Sequence, residues 1–218
     1  MFSDSEENYL KAIFHLERFD KEGVSTNAIA EAIHTKASSV TDMLKKLADK
    51  KLVNYIKYQG VTLTTLGKQT AAGIIRKHRL WEVFLVEKLD FKWDEVHEIA
   101  EQLEHIASDK LIDKLDKHLN HPKFDPHGDP IPTEDGTFPE RDKVLLSDLK
   151  VGDSGVCVGV KDTSISFLKF LDKYGIALGK KIKVLEREDF DNSLQIKLGN
   201  ETLTISHLIA SNLYLKTN

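Results

Sequence analysis

The chain of 218 residues lacks the features that mark secreted, membrane-spanning or disulfide-bonded proteins. Its single cysteine, Cys157, excludes a disulfide within the chain and is typical of a protein in a reducing compartment. No apolar run approaches the ~18 residues that a membrane-spanning helix needs. The acidic start MFSDSEEN also lacks the basic and apolar regions of a secretory signal. These absences predict a folded cytoplasmic protein without a membrane partner.

The chain also lacks an excess of positive charge, since its formal net charge is −4 at pH 7, which is not the balance expected of a DNA-binding protein. The charge is unevenly distributed, however. Residues 34–68 carry seven Lys or Arg against two Asp or Glu. Residues 74–140 carry nine against sixteen and contain six of the nine histidines. Local charge indicates the partner, so the first stretch favours an anionic partner and the second a cationic one.

Proline is confined to one segment, which divides the chain. All five prolines lie in residues 121–139, HPKFDPHGDPIPTEDGTFP, and predict a stiffened loop or a domain boundary. Helical patterns precede this segment, and short β-rich segments follow it. We therefore expect an α+β multidomain protein with domains at 1–73, 74–140 and 141–218, the last being a small β-barrel.

The first domain has the element order of a winged helix-turn-helix. Ser3 and Glu6 have the spacing of a capping box at the start of a first helix, which ends before the turn Asp20–Gly23. Ser25 is placed to cap a second helix. The expected elements that follow are helices at Asn27–Ile33 and Ser38–Lys50 and a hairpin of strands Leu52–Lys57 and Val61–Thr64, joined through Tyr58-Gln59-Gly60.

The second domain is expected to be helical and the third to be mainly β. One helical pattern runs from Thr65 to Lys88, and another, capped by Asp94, runs through at least Leu119. Apolar residues here, Trp81 and Phe84 among them, either fill the domain core or form a dimer interface. In the third domain we expect a helix at Ser164–Lys173 and strands at Gly155–Val160, Lys181–Glu186, Leu194–Leu198, Glu201–Ile205 and Leu213–Lys216.

The third helix of the first domain has the composition of a DNA-reading helix. The major groove admits one α-helix, whose N-terminal side chains meet the base edges. This helix opens with short polar groups suited to base contacts, and lysines follow where phosphates would lie. The candidate DNA-binding residues are Lys36, Ser38, Ser39, Thr41, Asp42, Lys45, Lys46 and Lys57. The alternative is that the lysines form an ordinary solvated helix face.

Histidines and carboxylates recur at helical spacing in the second domain. Steps of four and three residues place them on one helix face: His97, Glu101, Glu104 and His105. His78 and Glu82 form another pair four residues apart. Carboxylate and imidazole donors that converge in this way repel or compete unless a cation neutralises them, which indicates a metal site. The alternative is an exposed face with incidental histidines.

Together these pieces resemble the DtxR/MntR family of iron- and manganese-dependent transcriptional repressors. The resemblance rests on SEENYLKAIFHL, SSVTDMLKKL, YQGVTLTTLGK, RKHRLWEVFL, VHEIAEQLEHIAS and HPKFDPHGDPIP. It continues in LSDLKVGDSGVCVGV and IKVLERE, which are similar to the SH3-like (FeoA-like) domain that many members carry. It implies a winged helix-turn-helix, a helical dimerisation and metal-binding domain and an SH3-like domain. It further implies a homodimeric repressor of metal-uptake genes that binds a palindromic operator in double-stranded DNA when loaded with metal.

The resemblance also implies a set of metal ligands. The family's ligand positions are occupied here by His78, Glu82, His97, Glu101, Glu104 and His105. The ligand from the first helix is usually Asp or Met, and that position here is Asn8, a weaker ligand because its amide carries no charge. Manganese-type members place a second carboxylate where this chain has Lys11. Asp125 lies where some relatives place a cysteine ligand and is a further candidate.

The type of donor indicates the metal and how it would act. Carboxylate, imidazole and amide donors without a thiolate suit Mn²⁺ or Fe²⁺, although Zn²⁺ and Co²⁺ normally bind such sites more tightly than Mn²⁺. Asn8 lies in the DNA-binding domain and the other ligands in the helical domain, so a bound metal would fix the angle between them. In a dimer this angle sets the spacing of the recognition helices, which must match one DNA turn of about 34 Å.

Other functions are compatible with parts of the sequence. The Glu-x-x-Glu-His motif at 101–105 resembles helices of hydrolases and di-iron enzymes, but no independent catalytic set accompanies it, so we do not expect an enzyme. A winged-helix regulator that senses an organic ligand would leave the His/Glu cluster incidental. A structural adaptor is disfavoured by the basic recognition helix. Metal titration distinguishes the organic-ligand sensor from a metal-dependent regulator.

Overall fold

The computed structural model describes residues 2–17, 23–56 and 59–217. Its contacts group the chain into two units that interleave along the sequence. The first comprises Met1–Trp81, Ala100–His121 and Ile131–Phe138, and the second comprises Glu82–Ile99, Pro122–Pro130 and Pro139–Asn218. The expected domains, 1–73, 74–140 and 141–218, are each one continuous stretch of sequence, whereas each unit combines several stretches. The expected domain boundaries therefore stay a prediction.

The first unit begins with the expected winged helix-turn-helix. Its elements are α1 (Asp4–Glu17), α2 (Thr26–Ala32), α3 (Ala37–Asp49), β1 (Val53–Ile56) and β2 (Gly60–Leu63). The predicted capping box is present, since the Ser3 N–H donates to Glu6 Oε2 at 3.0 Å and the Glu6 N–H donates to Ser3 Oγ at 3.4 Å. Ser25 caps α2 by accepting a hydrogen bond from the Ala28 N–H at 3.1 Å.

One apolar core holds these elements together. The stripes of α1, α2 and α3 contribute fully buried side chains, which include Leu10, Ile13, Ile29, Val40, Leu44 and Leu47. A bridge between Val24 and Val61 joins the segment before α2 to strand β2. The predicted turn at residues 20–22 and the hairpin residues Lys57 and Tyr58 lie outside the described residues.

The helices that follow differ from the prediction in one respect. Helix α4 (Thr65–Leu89) forms as expected, but the single helix expected from Asp94 to Leu119 is wrong. The chain instead forms α5 (His97–Leu103) and α6 (Asp109–His118). Asp94 lies in the turn ahead of α5, and α6 has its own cap, because Ser108 Oγ accepts a hydrogen bond from the Leu111 N–H at 3.4 Å. This local cap outweighs the continuous helical periodicity.

The second unit contains an antiparallel sheet. Its strands are β3 (Val144–Leu145), β4 (Ser154–Val160), β5 (Lys181–Arg187), β6 (Leu194–Leu198), β7 (Glu201–Ile205) and β8 (Leu213–Thr217), in the order β3-β8-β4-β5-β6-β7. The helix α7 (Ile165–Lys173) matches the prediction. Three short elements were not predicted: β3, a 3₁₀ helix at Leu146–Asp148 and helix α8 (His207–Ala210). They are too short to show a hydrophobic period.

Alternate residues of the strands fill the core of this sheet. The fully buried ones include Ile182, Val184, Leu194, Ile196, Leu213 and Leu215, and α7 adds Leu171.

Trp81 of α4, which was predicted to lie either in the core or at a dimer interface, is buried within the single chain. Its burial favours the core, and Phe84 of the same helix is half-buried. Across the described ranges, no helix combines the length and apolarity needed to cross a bilayer.

Candidate metal centres and DNA-reading surface

Three buried side chains of the second unit form a first cluster, which we call the Glu82 cluster. Glu82 lies on α4, and Asp125 and His127 lie in the proline-rich segment. Their exposed fractions are 2%, 6% and 3%, and one potential ligand atom of each lies within 4.8 Å of the others. His97, whose ring is exposed, places Nδ1 3.4 Å from Glu82 Oε1. Two carboxylates and two imidazoles are therefore available here.

The proline-rich segment is held against strand β4. The Val160 N–H donates to the His127 carbonyl at 2.9 Å. Gly128 permits this close approach, since its φ is +85° and a Cβ there would lie 2.1 Å from the Val158 carbonyl oxygen. Asp125 is fixed within the loop, because its Oδ1 accepts the His127 N–H at 2.8 Å. Asp125 and His127, the two potential metal ligands of this segment, are therefore held in place by backbone contacts.

The orientation of the His127 ring suits a cation at the Glu82 cluster. Nε2 donates to the Trp93 carbonyl at 2.8 Å, so Nδ1 faces Glu82 Oε2, 3.6 Å away. Burial lowers the pKa of His127, but the hydrogen bond and charge of Glu82 and the charge of Asp125 outweigh it and raise the pKa from 6.5 to about 9. A proton or a metal ion at Nδ1 places positive charge near Glu82 and Asp125, and a carbonyl on the opposite nitrogen is how metal-binding histidines are oriented.

A second cluster, the Glu104 cluster, lies in the first unit around a fully buried carboxylate. Lys11 of α1 places Nζ 2.6 Å from Glu104 Oε1, 2.9 Å from Oε2 and 3.5 Å from Glu101 Oε1. His78 Nδ1 lies 2.6 Å from Glu104 Oε2. Burial raises the pKa of Glu104, but the His78 hydrogen bond and the Lys11 charge outweigh burial and hold the pKa below its ordinary value. Glu104 is therefore an ionised, buried carboxylate.

His105 joins the Glu104 cluster through another residue of α1. Its Nδ1 lies 2.6 Å from Glu7 Oε2 and its Nε2 lies 4.0 Å from Glu104 Oε1. Glu7 thus orients the ring, as carboxylates orient metal-binding histidines. Asn8, the predicted ligand of α1, is exposed, whereas the α1 side chains that contact this cluster are Glu7 and Lys11. A ligand role for Asn8 stays a prediction.

The expectation that four donors share one helix face is wrong. His97 and Glu101 lie in α5, but α5 ends at Leu103, so Glu104 and His105 occupy the turn that follows. The side chains of His97 and Glu101 are 55% and 50% exposed, whereas those of Glu104 and His105 are 0% and 14% exposed. His97 lies beside Glu82, and Glu101, Glu104 and His105 belong to the Glu104 cluster.

The N-terminal half of α3 presents the predicted DNA-reading residues. Those exposed are Lys36, Ser38, Ser39, Asp42, Lys45 and Lys46. Thr41 is half-buried, and Lys57 lies outside the described residues. Lys36 stands at the N-cap position of α3, so the short polar side chains follow in its first turn. Their accessibility is what base contacts in a groove require.

Two of the predicted DNA-contacting lysines already have acidic partners. Lys45 pairs with Asp42 at 3.2 Å on the exposed side of α3. Lys46 and Lys50 pair with the buried Glu6 of α1 at 3.1 and 2.7 Å. Burial raises the pKa of Glu6, but the hydrogen bonds of Lys50, Ser3 and Lys46 outweigh it and lower the pKa to about 2. The two pairs with Glu6 attach α3 to α1.

Family models match the chain along nearly its whole length. The iron dependent repressor N-terminal DNA binding domain matches residues 1–61, the iron dependent repressor metal binding and dimerisation domain matches residues 64–133, and the FeoA domain matches residues 144–217. The iron-dependent repressor IdeR of Mycobacterium leprae is 30% identical, over 95% of this chain and 94% of the relative. The chain belongs to the iron-dependent repressor family.

Solved repressors of this family share the fold. A manganese-dependent transcriptional repressor in complex with manganese has a TM-score of 0.86 and 34% identity, over 98% of this chain and 100% of that one. The manganese regulator SloR has a TM-score of 0.76 and 35% identity, over 98% of each chain. These likenesses confirm the expected fold class and the resemblance read from the motifs.

Sequence reasoning missed three contributors to the clusters of this repressor. His127 carried a signal, because it stands two residues after Asp125 in the same proline-rich motif. Glu7 had no local signal, since the residue that it contacts, His105, lies 98 positions away. The same holds for Lys11 as a partner of Glu104, 93 positions away. Such pairs form only when α1 packs beside the end of α5.

Proposed function

We propose that this family member is a cytoplasmic transcriptional repressor of metal-uptake genes. It binds a palindromic operator in double-stranded DNA as a homodimer when loaded with Mn²⁺ or Fe²⁺. The observation that carries the proposal is the Glu82 cluster, where two carboxylates and an imidazole converge in the interior. Carboxylate oxygens and an imidazole nitrogen held this close together form a donor set that a divalent cation binds in place of the His127 proton. Membership of a repressor family favours this regulator over the metalloenzyme alternative.

The donors at both clusters support a divalent first-row metal. Carboxylate oxygens and imidazole nitrogens suit Mn²⁺ and Fe²⁺, and Zn²⁺ or Co²⁺ bind the same donors in vitro. A bound cation supplies the positive charge that compensates the buried carboxylates. The ligands that we assign are His78, Glu82, His97, Glu101, Glu104, His105, Asp125 and His127, with Asn8 as a weaker candidate.

DNA recognition is assigned to the N-terminal half of α3. Ser38, Ser39 and Thr41 are short enough for hydrogen bonds or methyl contacts at base edges. Positive charge at the phosphates comes from Lys36, Lys45, Lys46 and Lys57, which makes the affinity dependent on salt. Asp42 contributes indirectly, because it pairs with Lys45 at 3.2 Å.

Helix α1 provides a physical connection between metal and DNA sites. Two of its side chains contact the Glu104 cluster, and Glu6 pairs with Lys46 and Lys50 of α3. A change of charge or position at the cluster therefore acts on the helix that anchors the DNA-reading element. Coupling between two sites of about 1–3 kcal/mol is usual and changes affinity ~5- to 150-fold.

Operator binding measured with and without metal tests the proposal. A fluorescent duplex from upstream of the protein's own gene is titrated with the full-length protein in Mn²⁺, in Fe²⁺ without oxygen, in Zn²⁺ and in chelator. We expect tighter binding with metal by roughly 5- to 150-fold. A Glu82→Gln variant serves as the matched control, since it keeps the side-chain volume but removes a carboxylate from the Glu82 cluster.

Two outcomes would contradict the proposal. Equal affinity for the duplex in chelator and in metal would leave only a winged-helix DNA-binding protein. Calorimetry that detects no metal binding below high micromolar concentration would favour the sensor of an organic ligand.

A further inference from the structure

Lys11 places a positive charge directly on the Glu104 cluster. Its Nζ lies 2.6 and 2.9 Å from the two oxygens of Glu104 and 3.5 Å from Glu101 Oε1. The Lys11 side chain is 15% exposed and that of Glu104 is 0% exposed, so bulk water screens this pair little. The ammonium is therefore a resident counter-ion of the two carboxylates.

The partners of Glu104 leave little room for a second cation. Lys11 donates to both oxygens, and His78 Nδ1 lies 2.6 Å from Oε2. Two cations that contact the same carboxylate at these distances repel each other strongly in a poorly screened interior. A divalent ion at Glu104 would therefore be in electrostatic competition with the Lys11 ammonium.

We propose that Lys11 is an internal competitor for metal at the Glu104 cluster. It holds Glu101 and Glu104 in the metal-free protein, and Mn²⁺ or Fe²⁺ binds there by displacing the ammonium. Lys11 thereby raises the metal concentration at which this cluster fills, and it keeps α1 attached to the cluster in the absence of metal. The inference rests on the proposed function, since it assumes that the cluster takes a divalent ion.

A Lys11→Met variant tests the competition, because methionine keeps an unbranched apolar stem and removes the charge. We expect Mn²⁺ affinity to rise by roughly 5- to 150-fold, the usual range of coupling between two ligands. The metal-free variant should unfold at a lower temperature than the wild type, and Mn²⁺ should stabilise it more. Titrations are repeated in an Asp125→Asn background, so that binding at the Glu82 cluster does not mask the change.

Two control variants isolate the role of Lys11. Lys50→Met removes an ammonium that lies 2.7 Å from another buried carboxylate of α1, Glu6. It should lower the unfolding temperature without raising Mn²⁺ affinity. Lys11→Arg keeps the charge and should show no gain in Mn²⁺ affinity.

A measurement on the wild type covers the case in which Lys11→Met fails to fold. Acetic anhydride labels accessible lysine amines, and peptide mass spectrometry reads each lysine separately. Lys11 should be protected in the metal-free protein and should become several-fold more reactive when Mn²⁺ saturates the protein. Lys50, paired with Glu6, serves as the internal reference.

Each outcome decides between the inference and the proposed function. If the wild type binds Mn²⁺ and Lys11→Met binds it equally or more weakly, the competition is refuted while the repressor function stands. Lys11 reactivity that Mn²⁺ leaves unchanged refutes the competition as well. If neither the wild type nor Lys11→Met binds a divalent ion, the proposed function itself fails.

Discussion

Replacing Gly128 by alanine should impair metal binding at the Glu82 cluster, although Gly128 is not itself a ligand. Gly128 has a φ of +85°, and an added Cβ would lie 2.1 Å from the Val158 carbonyl oxygen and 2.5 Å from the Gly159 Cα. Both neighbours are backbone atoms of strand β4, which cannot move without distorting the sheet. The proline-rich segment must move instead, and it carries Asp125 and His127.

The expected loss of stability comes from two sources. An L-residue in a left-handed backbone conformation costs about 1–2 kcal/mol. Moving the segment also breaks the hydrogen bond at 2.9 Å between the Val160 N–H and the His127 carbonyl, whose loss costs roughly 1 kcal/mol. We therefore expect Gly128→Ala to lower the free energy of unfolding by about 2–3 kcal/mol.

Urea unfolding of the metal-free protein and calorimetric Mn²⁺ titration measure the two effects. Gly152→Ala is the matched control, since Gly152 has a φ of +96° but nothing lies within 4 Å of an added Cβ. It should lose only about 1–2 kcal/mol from backbone strain and keep its Mn²⁺ affinity. If Gly128→Ala is no less stable than Gly152→Ala, or binds Mn²⁺ like the wild type, the close packing does not support the site.

Three further predictions concern charge. The pKa of His127, about 9 when folded, exceeds the ordinary 6.5, so its proton stabilises the metal-free fold fully below pH 6.5 and progressively less up to pH 9. In urea unfolding, the free energy of unfolding of the wild type should fall by about 3 kcal/mol between pH 6 and pH 9.5, and that of His127→Gln should not. Equal losses in both proteins would contradict this prediction. Glu82→Gln should weaken Mn²⁺ binding in calorimetry by more than about 10-fold; unchanged affinity would exclude Glu82 as a ligand. Lys36→Ala should weaken operator binding and reduce the salt slope by about one, with unchanged Mn²⁺ affinity; an altered Mn²⁺ affinity would contradict its assignment to DNA.

Local signals allowed most of the fold to be predicted. The Ser3–Glu6 capping box, the Ser25 cap and the apolar stripe of α3 act over three or four residues, and each is present in the structure. The same kind of signal misled the prediction beyond Asp94. Helical spacing continued past Leu103, but the Ser108 cap began a new helix.

The sequence predicted which residues could act as metal ligands, but it did not predict their arrangement. Spacing identified the carboxylates and histidines of α4 and α5, and the family resemblance added Asp125. Spacing did not reveal which neighbours each donor contacts, because that depends on where α5 ends. It also did not assign Lys11 to Glu104, since the two residues lie 93 positions apart.

Sequence alone determined the class of this protein, because caps, periodicity and charge density act between residues close along the chain. Family motifs extended that class to a metal-dependent repressor. Only the tertiary structure decided which charges meet: a proton-holding His127 between Glu82 and Asp125, and an ammonium on Glu104. Burial makes these pairings strong, and burial exists only once distant segments have packed together.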